Sequence, residues 1–321
     1  MTAERLFPNA SKLGCGCASL GSRVGAKRGL EVLALAFDHG ANWYDLAPSY
    51  GDGRAQTIFR DFARGKREKL YICTKVGVAA PQINPLLQVV KPFARQIVRT
   101  MPGLRRAVGS VRSVQPVEIR PDEIRTSLES SLRDLGTDYV DVLALHDPAP
   151  SVLQRQDVFS VLVSLREEGK VRGVGVAGSS EIATLAMQHA DVFDHVQYAI
   201  DLSSDENPSG TLRARSHIVH SVISGSEELL ELLTKFDCKT DAQEVFKASG
   251  YQDDLEANLK ALALDFALAR PGLQTVLVSM LSPRSIERNF QRLANGSPDR
   301  QCPSATVSAL FELVGRRNGD N

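Results

Sequence analysis

Eight short apolar runs recur along the chain, at 11 to 17, 42 to 47, 70 to 76, 139 to 146, 171 to 176, 195 to 200, 216 to 223 and 275 to 280. Helix-period segments lie between them. Residues 26 to 39, for example, carry Leu30, Val32, Leu33, Ala36 and Phe37 on a helical spacing, with Gly40 as a stop. The segment after Arg120 opens with Pro121, Asp122 and Glu123 and stops at Gly136. Proline and acids suit a first helical turn, and glycine suits an end. Eight strands alternating with helices predict an α/β chain of the (β/α)8 TIM-barrel type, about 250 core residues plus insertions. An open doubly wound sheet is the alternative. No Pro/Gly/Ser-rich linker divides residues 1 to 321, so a single domain is expected, with a long insertion after strand 3 at 78 to 120.

Composition removes several function classes. With 321 residues, 43% of them hydrophobic, the chain can bury a large core. Lys+Arg and Asp+Glu balance at 38 each, so no global field favours nucleic acid. The first residues lack the apolar centre of a signal peptide, and no run approaches the roughly 18 apolar residues of a membrane span. A cytoplasmic protein without a membrane span is therefore expected. The five cysteines, 15, 17, 73, 238 and 302, form no Cys-x-x-Cys. Three fall in strand-like runs, where cysteine behaves as a small hydrophobe.

One motif invites a nucleotide-binding reading. Gly173, Gly175 and Gly178 satisfy G-x-G-x-x-G, and Asp201 lies roughly 20 residues further on, as a dinucleotide fingerprint asks. That fingerprint puts its first glycine after a completed strand. Here Arg166-Glu167-Glu168-Gly169-Lys170 comes shortly before, so glycines 173 and 175 must lie inside the strand, serving close backbone packing.

Four polar residues mark a more specific site. Asp45 and Tyr50 close and follow the second run, Lys75 ends the third, and His146 ends the fourth. In parallel α/β folds the loops at the carboxyl ends of strands converge on a common mouth, which would bring the four together. A tyrosine hydroxyl titrates near ~10, so proton transfer at neutral pH needs roughly 4 kcal/mol of help. A neighbouring ammonium supplies it by stabilising phenolate. Lys75 would be that ammonium, Asp45 would hold it charged and oriented, and His146 would donate to a substrate oxygen.

At these residues the chain resembles the aldo-keto reductase family. The resemblance rests on 42 to 51 (NWYDLAPSYG), Thr74-Lys75-Val76-Gly77, the stretch from Leu135-Gly136-Thr137-Asp138 to Leu145-His146, and Ser282-Pro283 to Asn289-Phe290. It spans nearly the whole chain and is poorest at about 203 to 255. The resemblance implies a barrel holding a nicotinamide dinucleotide across its mouth, no metal, and a small-molecule carbonyl or sugar substrate. It also implies hydride transfer with Tyr50 as proton donor or acceptor. Carried over residue by residue, cofactor contacts fall on Gln197, Ser279, Met280, Ser282, Arg284, Arg288 and Asn289. Where the family often has Ser-Asn after the fifth strand, this chain has Ala177-Gly178, which lack side-chain donors. Where it often supplies Lys and Arg to a 2'-phosphate, this chain has Ser279 and Ser285. Arg284 and Arg288, four apart on one predicted helix face, could replace that charge, which favours NADP(H) slightly over NAD(H).

The 78 to 120 insertion holds seven basic residues, Lys91, Arg95, Arg99, Arg105, Arg106, Arg112 and Arg120, against the single acid Glu118. Following the Lys75 strand, it is expected over the mouth as a lid or substrate wall. Three function classes are therefore in play. The first is an NAD(P)-dependent oxidoreductase of the bacterial sugar-dehydrogenase style. The second is a redox-silent nucleotide-binding or regulatory protein on the same scaffold, suggested by Ala177-Gly178. The third is a Schiff-base aldolase on Lys75, which Asp45 opposes by keeping the lysine charged. Nothing in the sequence fixes an oligomeric state.

Overall fold

The computed structural model describes residues 5–78, 119–200, 202, 214–296 and 303–319. Eight parallel strands close into a barrel in chain order: β1 (Leu13–Gly16), β2 (Trp43–Asp45), β3 (Tyr71–Val76), β4 (Val140–His146), β5 (Val171–Gly178), β6 (His195–Ala199), β7 (Ser216–His220) and β8 (Thr275–Val278). Each falls on one of the apolar runs. Closure comes from β1 against β8, with Leu13 level with Val276 and Cys15 with Val278.

Helices α1 (Ala26–Asp38), α2 (Ala55–Ala63), α3 (Pro121–Leu135), α4 (Gln156–Glu167), α5 (Ser180–Ala186), α6 (Ser224–Lys235), α7 (Lys239–Ala248), α8 (Leu255–Leu268), α9 (Pro283–Asn295) and α10 (Pro303–Gly319) accompany the strands. Their limits follow local chemistry. Pro121 opens α3 with Asp122 and Glu123 in its first turn, and Gly136 closes it in the left-handed region at φ 65°. Asp254 caps α8 by accepting from the Ala257 amide at 2.9 Å.

Two apolar layers result. The larger lies between strands and helices and includes Leu33, Phe59, Leu128, Leu162 and Leu262, each at most 4% exposed. The smaller fills the barrel itself with Phe7, Trp43, Cys73, Val142, Ala144, Ala177, Ile218 and Leu277. Phe7 seals the amino-terminal end of the barrel: its ring lies 5.3 Å from Trp43 and 5.2 Å from Tyr71, and its carbonyl accepts from Gln274. The carboxyl ends of the strands are thereby left as the mouth. Cys15, Cys17 and Cys73 are buried with free thiols.

Gly173 and Gly175 lie within β5, so the G-x-G-x-x-G match is a matter of packing. A Cβ on Gly175 would sit 2.1 Å from the His195 carbonyl oxygen, so a side chain there would prevent β5 and β6 from pairing. The basic insertion falls almost wholly on residues 79–118, outside the described residues. Among the described residues no helix is long and apolar enough to cross a membrane.

Candidate active site

Asp45 ends β2, and its side chain points into the barrel two residues beyond Trp43, as strand alternation requires. The chain then turns through Pro48 and Ser49 into a 3-10 turn at Tyr50–Gly53. Gly51 makes that turn feasible: its φ is +60°, and a Cβ would collide with the Leu20 carbonyl oxygen at 1.6 Å. Tyr50 is thereby carried back over the end of β2. Lys75 is one residue short of the end of β3, and its neighbour Thr74 accepts a 2.8 Å hydrogen bond from buried Gln56 on α2.

Lys75 is only 1% exposed, and its ammonium is fully used. It donates to Asp45 Oδ1 at 2.6 Å, to the Leu46 carbonyl at 3.1 Å and to the Tyr50 hydroxyl at 2.9 Å. Three donors meet three acceptors. The Tyr50 oxygen thus accepts from a cation, while among the described residues its own proton has only a long 3.4 Å contact to Asp45 Oδ2. His146 ends β4 with its ring edge-on to Tyr50, centroids 6.1 Å apart at 83°. The four residues expected at strand ends therefore share one site.

Electrostatics set the protonation states. Burial would lower the Lys75 pKa, but the Asp45 carboxylate and Tyr50 more than compensate and raise it above its ordinary value, so the lysine stays charged. Burial raises the Tyr50 hydroxyl above the usual phenol range, and Lys75 pulls it the other way. The cation has the expected sign of effect, yet desolvation outweighs it, so Tyr50 is protonated at neutral pH. His146 is pushed down to about 4, first by burial and then by Lys75, and is neutral with one ring N–H to donate.

The remaining sequence candidates scatter. Gln197 on β6 is 2% exposed and level with Ala177, which is in turn level with His146. Its Oε1 atom is sealed from solvent, without a hydrogen-bond partner among the described residues. Ser279 is exposed just past β8, and Met280 beside it is buried. Ser282 is the N-cap of α9, exchanging side chain to backbone hydrogen bonds of 3.2 Å with Ser285. The two serines are thus a capping pair, a local role that the spacing alone accounts for. Arg288 and buried Asn289 line a cleft of about 320 Å³ between α8 and α9, together with Asp253, Lys260 and Arg292. Arg284 is exposed one turn earlier on α9 and does not line that cleft, so only one of the two arginines faces it.

One site residue escaped the sequence reading. His220 ends β7 as His146 ends β4, and the charges of Asp45 and Lys75 both act on it. Each histidine is followed by a non-glycine residue at positive φ, Asp147 at 47° and Ser221 at 58°. Such strain clusters at functional sites. The apolar run in the sequence continues to residue 223, three positions past the end of β7, so the strand-end rule that singles out His146 passes over His220.

The sequence matches the Aldo/keto reductase family over residues 12–214. A D-threo-aldose 1-dehydrogenase from a Pseudomonas species is 26% identical over 306 residues, covering 88% of this chain and 89% of that protein. Among solved structures, a holo-form aldo-keto reductase from Bacillus halodurans superposes with a TM-score of 0.69 at 18% identity, covering 97% of this chain and 96% of the other. An aldo/keto reductase from Klebsiella pneumoniae, in complex with NADP and acetate, gives 0.64 at 19% identity, covering 95% and 92%.

Proposed function

Because the chain belongs to the aldo/keto reductase family, we propose that it is an NAD(P)-dependent oxidoreductase acting on the carbonyl or alcohol carbon of an aldehyde, a ketone or a sugar. The observation that carries this reading is the Lys75 ammonium. It donates to Asp45, Leu46 and Tyr50 at once, which leaves the Tyr50 proton, among the described residues, with only a 3.4 Å acceptor and free to move to a substrate oxygen. A lysine with every proton engaged and its charge fixed by Asp45 cannot serve as the neutral amine of a Schiff-base aldolase.

Each residue then has one task. Tyr50 gives its proton to the substrate oxygen during reduction and takes it back during oxidation. Lys75 stabilises the phenolate left behind, and Asp45 keeps Lys75 charged. Neutral His146 donates a hydrogen bond to the same oxygen and fixes the face presented to the cofactor. When bound, the nicotinamide supplies or accepts the hydride at carbon. Gln197 would hold its carboxamide, a fit supported by the place of its amide in the barrel, level with Ala177 and through it with His146. Arg288 and Asn289, in their cleft, would hold the phosphate-bearing end, with NADP(H) slightly favoured over NAD(H). A sugar substrate has the support of the aldose dehydrogenase to which the chain is similar.

Tyr50→Phe tests the assignment. Turnover of a panel of aldoses and simple aldehydes should fall by at least about 100-fold, the usual contribution of a general acid. Dinucleotide affinity, read by calorimetry, should stay within about threefold. Near-normal turnover would remove Tyr50 from the chemistry. Tight dinucleotide binding by the parent without turnover of any carbonyl would favour the redox-silent reading that Ala177-Gly178 suggests.

A further inference from the structure

The barrel interior below the site is unusually polar along one line. His195 and Gln197 are two apart on β6, so both side chains point inward, one above the other. His195 is wholly buried, with its ring stacked on Trp43 at 5.9 Å and 11°. Its Nδ1 lies 3.0 Å from the Ser216 hydroxyl on β7, which is level with it in the sheet. Among the described residues its Nε2 has no hydrogen-bond partner, and neither has the Oε1 of Gln197, two positions further along the same face of β6. Gly175 on the neighbouring strand has no Cβ, which gives the His195 backbone its place.

We infer that His195 is a positioning residue that fixes which end of the Gln197 amide faces the barrel mouth. The inference rests on the reading of Gln197 as partner of the nicotinamide carboxamide. A serine hydroxyl can donate to Nδ1, which leaves the ring proton on Nε2. Nε2–H is a donor and Gln197 Oε1 an acceptor, so the two orphaned atoms are complementary. Burial pushes the His195 ring down, and the Gln197 amide works against it by favouring the protonated ring, the direction expected when the amide oxygen lies toward the ring. With Oε1 engaged below, the Nε2 amino end of Gln197 is presented above, as a donor to a carbonyl oxygen. This matters in a chain whose Ala177-Gly178 offers no side-chain donor to the same group. An unfixed amide would present either end, and half of its orientations would be wrong.

Two measurements on the unaltered protein test this. Nitrogen NMR of the histidine rings, with the His195 signal assigned by its loss in His195→Gln, should show the Nε2–H tautomer. An Nδ1–H tautomer would overturn the proposal. Calorimetry should compare oxidised NADP with its 3-acetylpyridine analogue, which keeps the carbonyl and loses the amide N–H groups. If Gln197 presents its donor end, the two bind within about threefold. If it presents its oxygen, the analogue binds roughly tenfold or more weakly, the cost of a lost hydrogen bond, and the relay is wrong. In Ser216→Ala the tautomer is released, so some Nδ1–H form should appear in a protein that still folds; an unchanged tautomer would also refute the relay. Unchanged NADP affinity in Gln197→Ala would instead remove the underlying reading of Gln197, whatever the tautomer.

Discussion

Lys75→Met separates what the buried pair does for the fold from what it does for proton transfer. Lys75 Nζ lies 2.9 Å from the Tyr50 hydroxyl. At an effective dielectric of about 20, a unit charge at that range stabilises phenolate by about 6 kcal/mol. Water and side-chain rearrangement return part of this, so a net effect of about 3 to 4 kcal/mol on the proton-transfer step is expected, or roughly 100- to 1,000-fold in turnover. Without the cation the Tyr50 pKa rises further, so the base-dependent limb of the oxidation rate should move to higher pH. The same change strands the Asp45 carboxylate, which is 3% exposed, at a cost of roughly 3 to 5 kcal/mol in stability. The double variant Asp45→Asn/Lys75→Met removes both charges. It should regain most of the lost stability in denaturant melts and none of the lost turnover. Recovery of turnover together with stability would show that Lys75 merely neutralises Asp45, and the proton-transfer role would fall.

Other consequences can be checked more briefly. Gly175→Ala puts a methyl 2.1 Å from a backbone oxygen of His195, whereas Gly173→Ala meets the mobile end of Leu6 at 2.5 Å. The first should therefore lower Tm far more than the second, and equal losses would mean that β5 and β6 can part. Burial pushes His195 down to about 3, below its unfolded value. Its stabilising contribution is therefore complete above about 6.5 and is lost as pH falls toward 3, roughly 3 kcal/mol by pH 4.5. His195→Phe should flatten the acid limb of the stability curve, and parallel curves for the two proteins would contradict the shift. Arg288→Ala should weaken NADPH binding about tenfold and NADH binding little, with Arg284→Ala nearly silent. Equal small effects from both would make them a solvated helix face.

Much of this was legible in the sequence because the signals are local. All eight strands lie on apolar runs, Pro121 and Gly136 bound α3, and the strand-end rule finds Asp45, Lys75 and His146. Other features depend on who the neighbours are. His195 and Ser216 sit in strands buried on both sides, where inward and outward residues are not told apart by alternation. The balance at Tyr50 could not be read either, since the depth of burial decides whether desolvation or Lys75 prevails. Arg284 and Arg288 share a helix face in sequence, but only the position of α8 creates the cleft that takes one of them. The Ser282 and Ser285 exchange was readable as a capping motif and was overshadowed by the family pattern.

Closure of the barrel joins Leu13 to Val276, nearly the whole length of the chain apart. Until the last strand leaves the ribosome, β1 and β7 are open edges of an incomplete sheet, able to pair with other chains. Asp45, Tyr50, Lys75 and His146 are all made long before that moment. Their charges would then lie in a half-built, hydrated wall, and the dry ion pair forms only when the ends meet. Such non-local pairing is slow, so chaperone dependence during synthesis should be set by the carboxyl-terminal third, and truncations there should yield aggregates rather than smaller folded barrels.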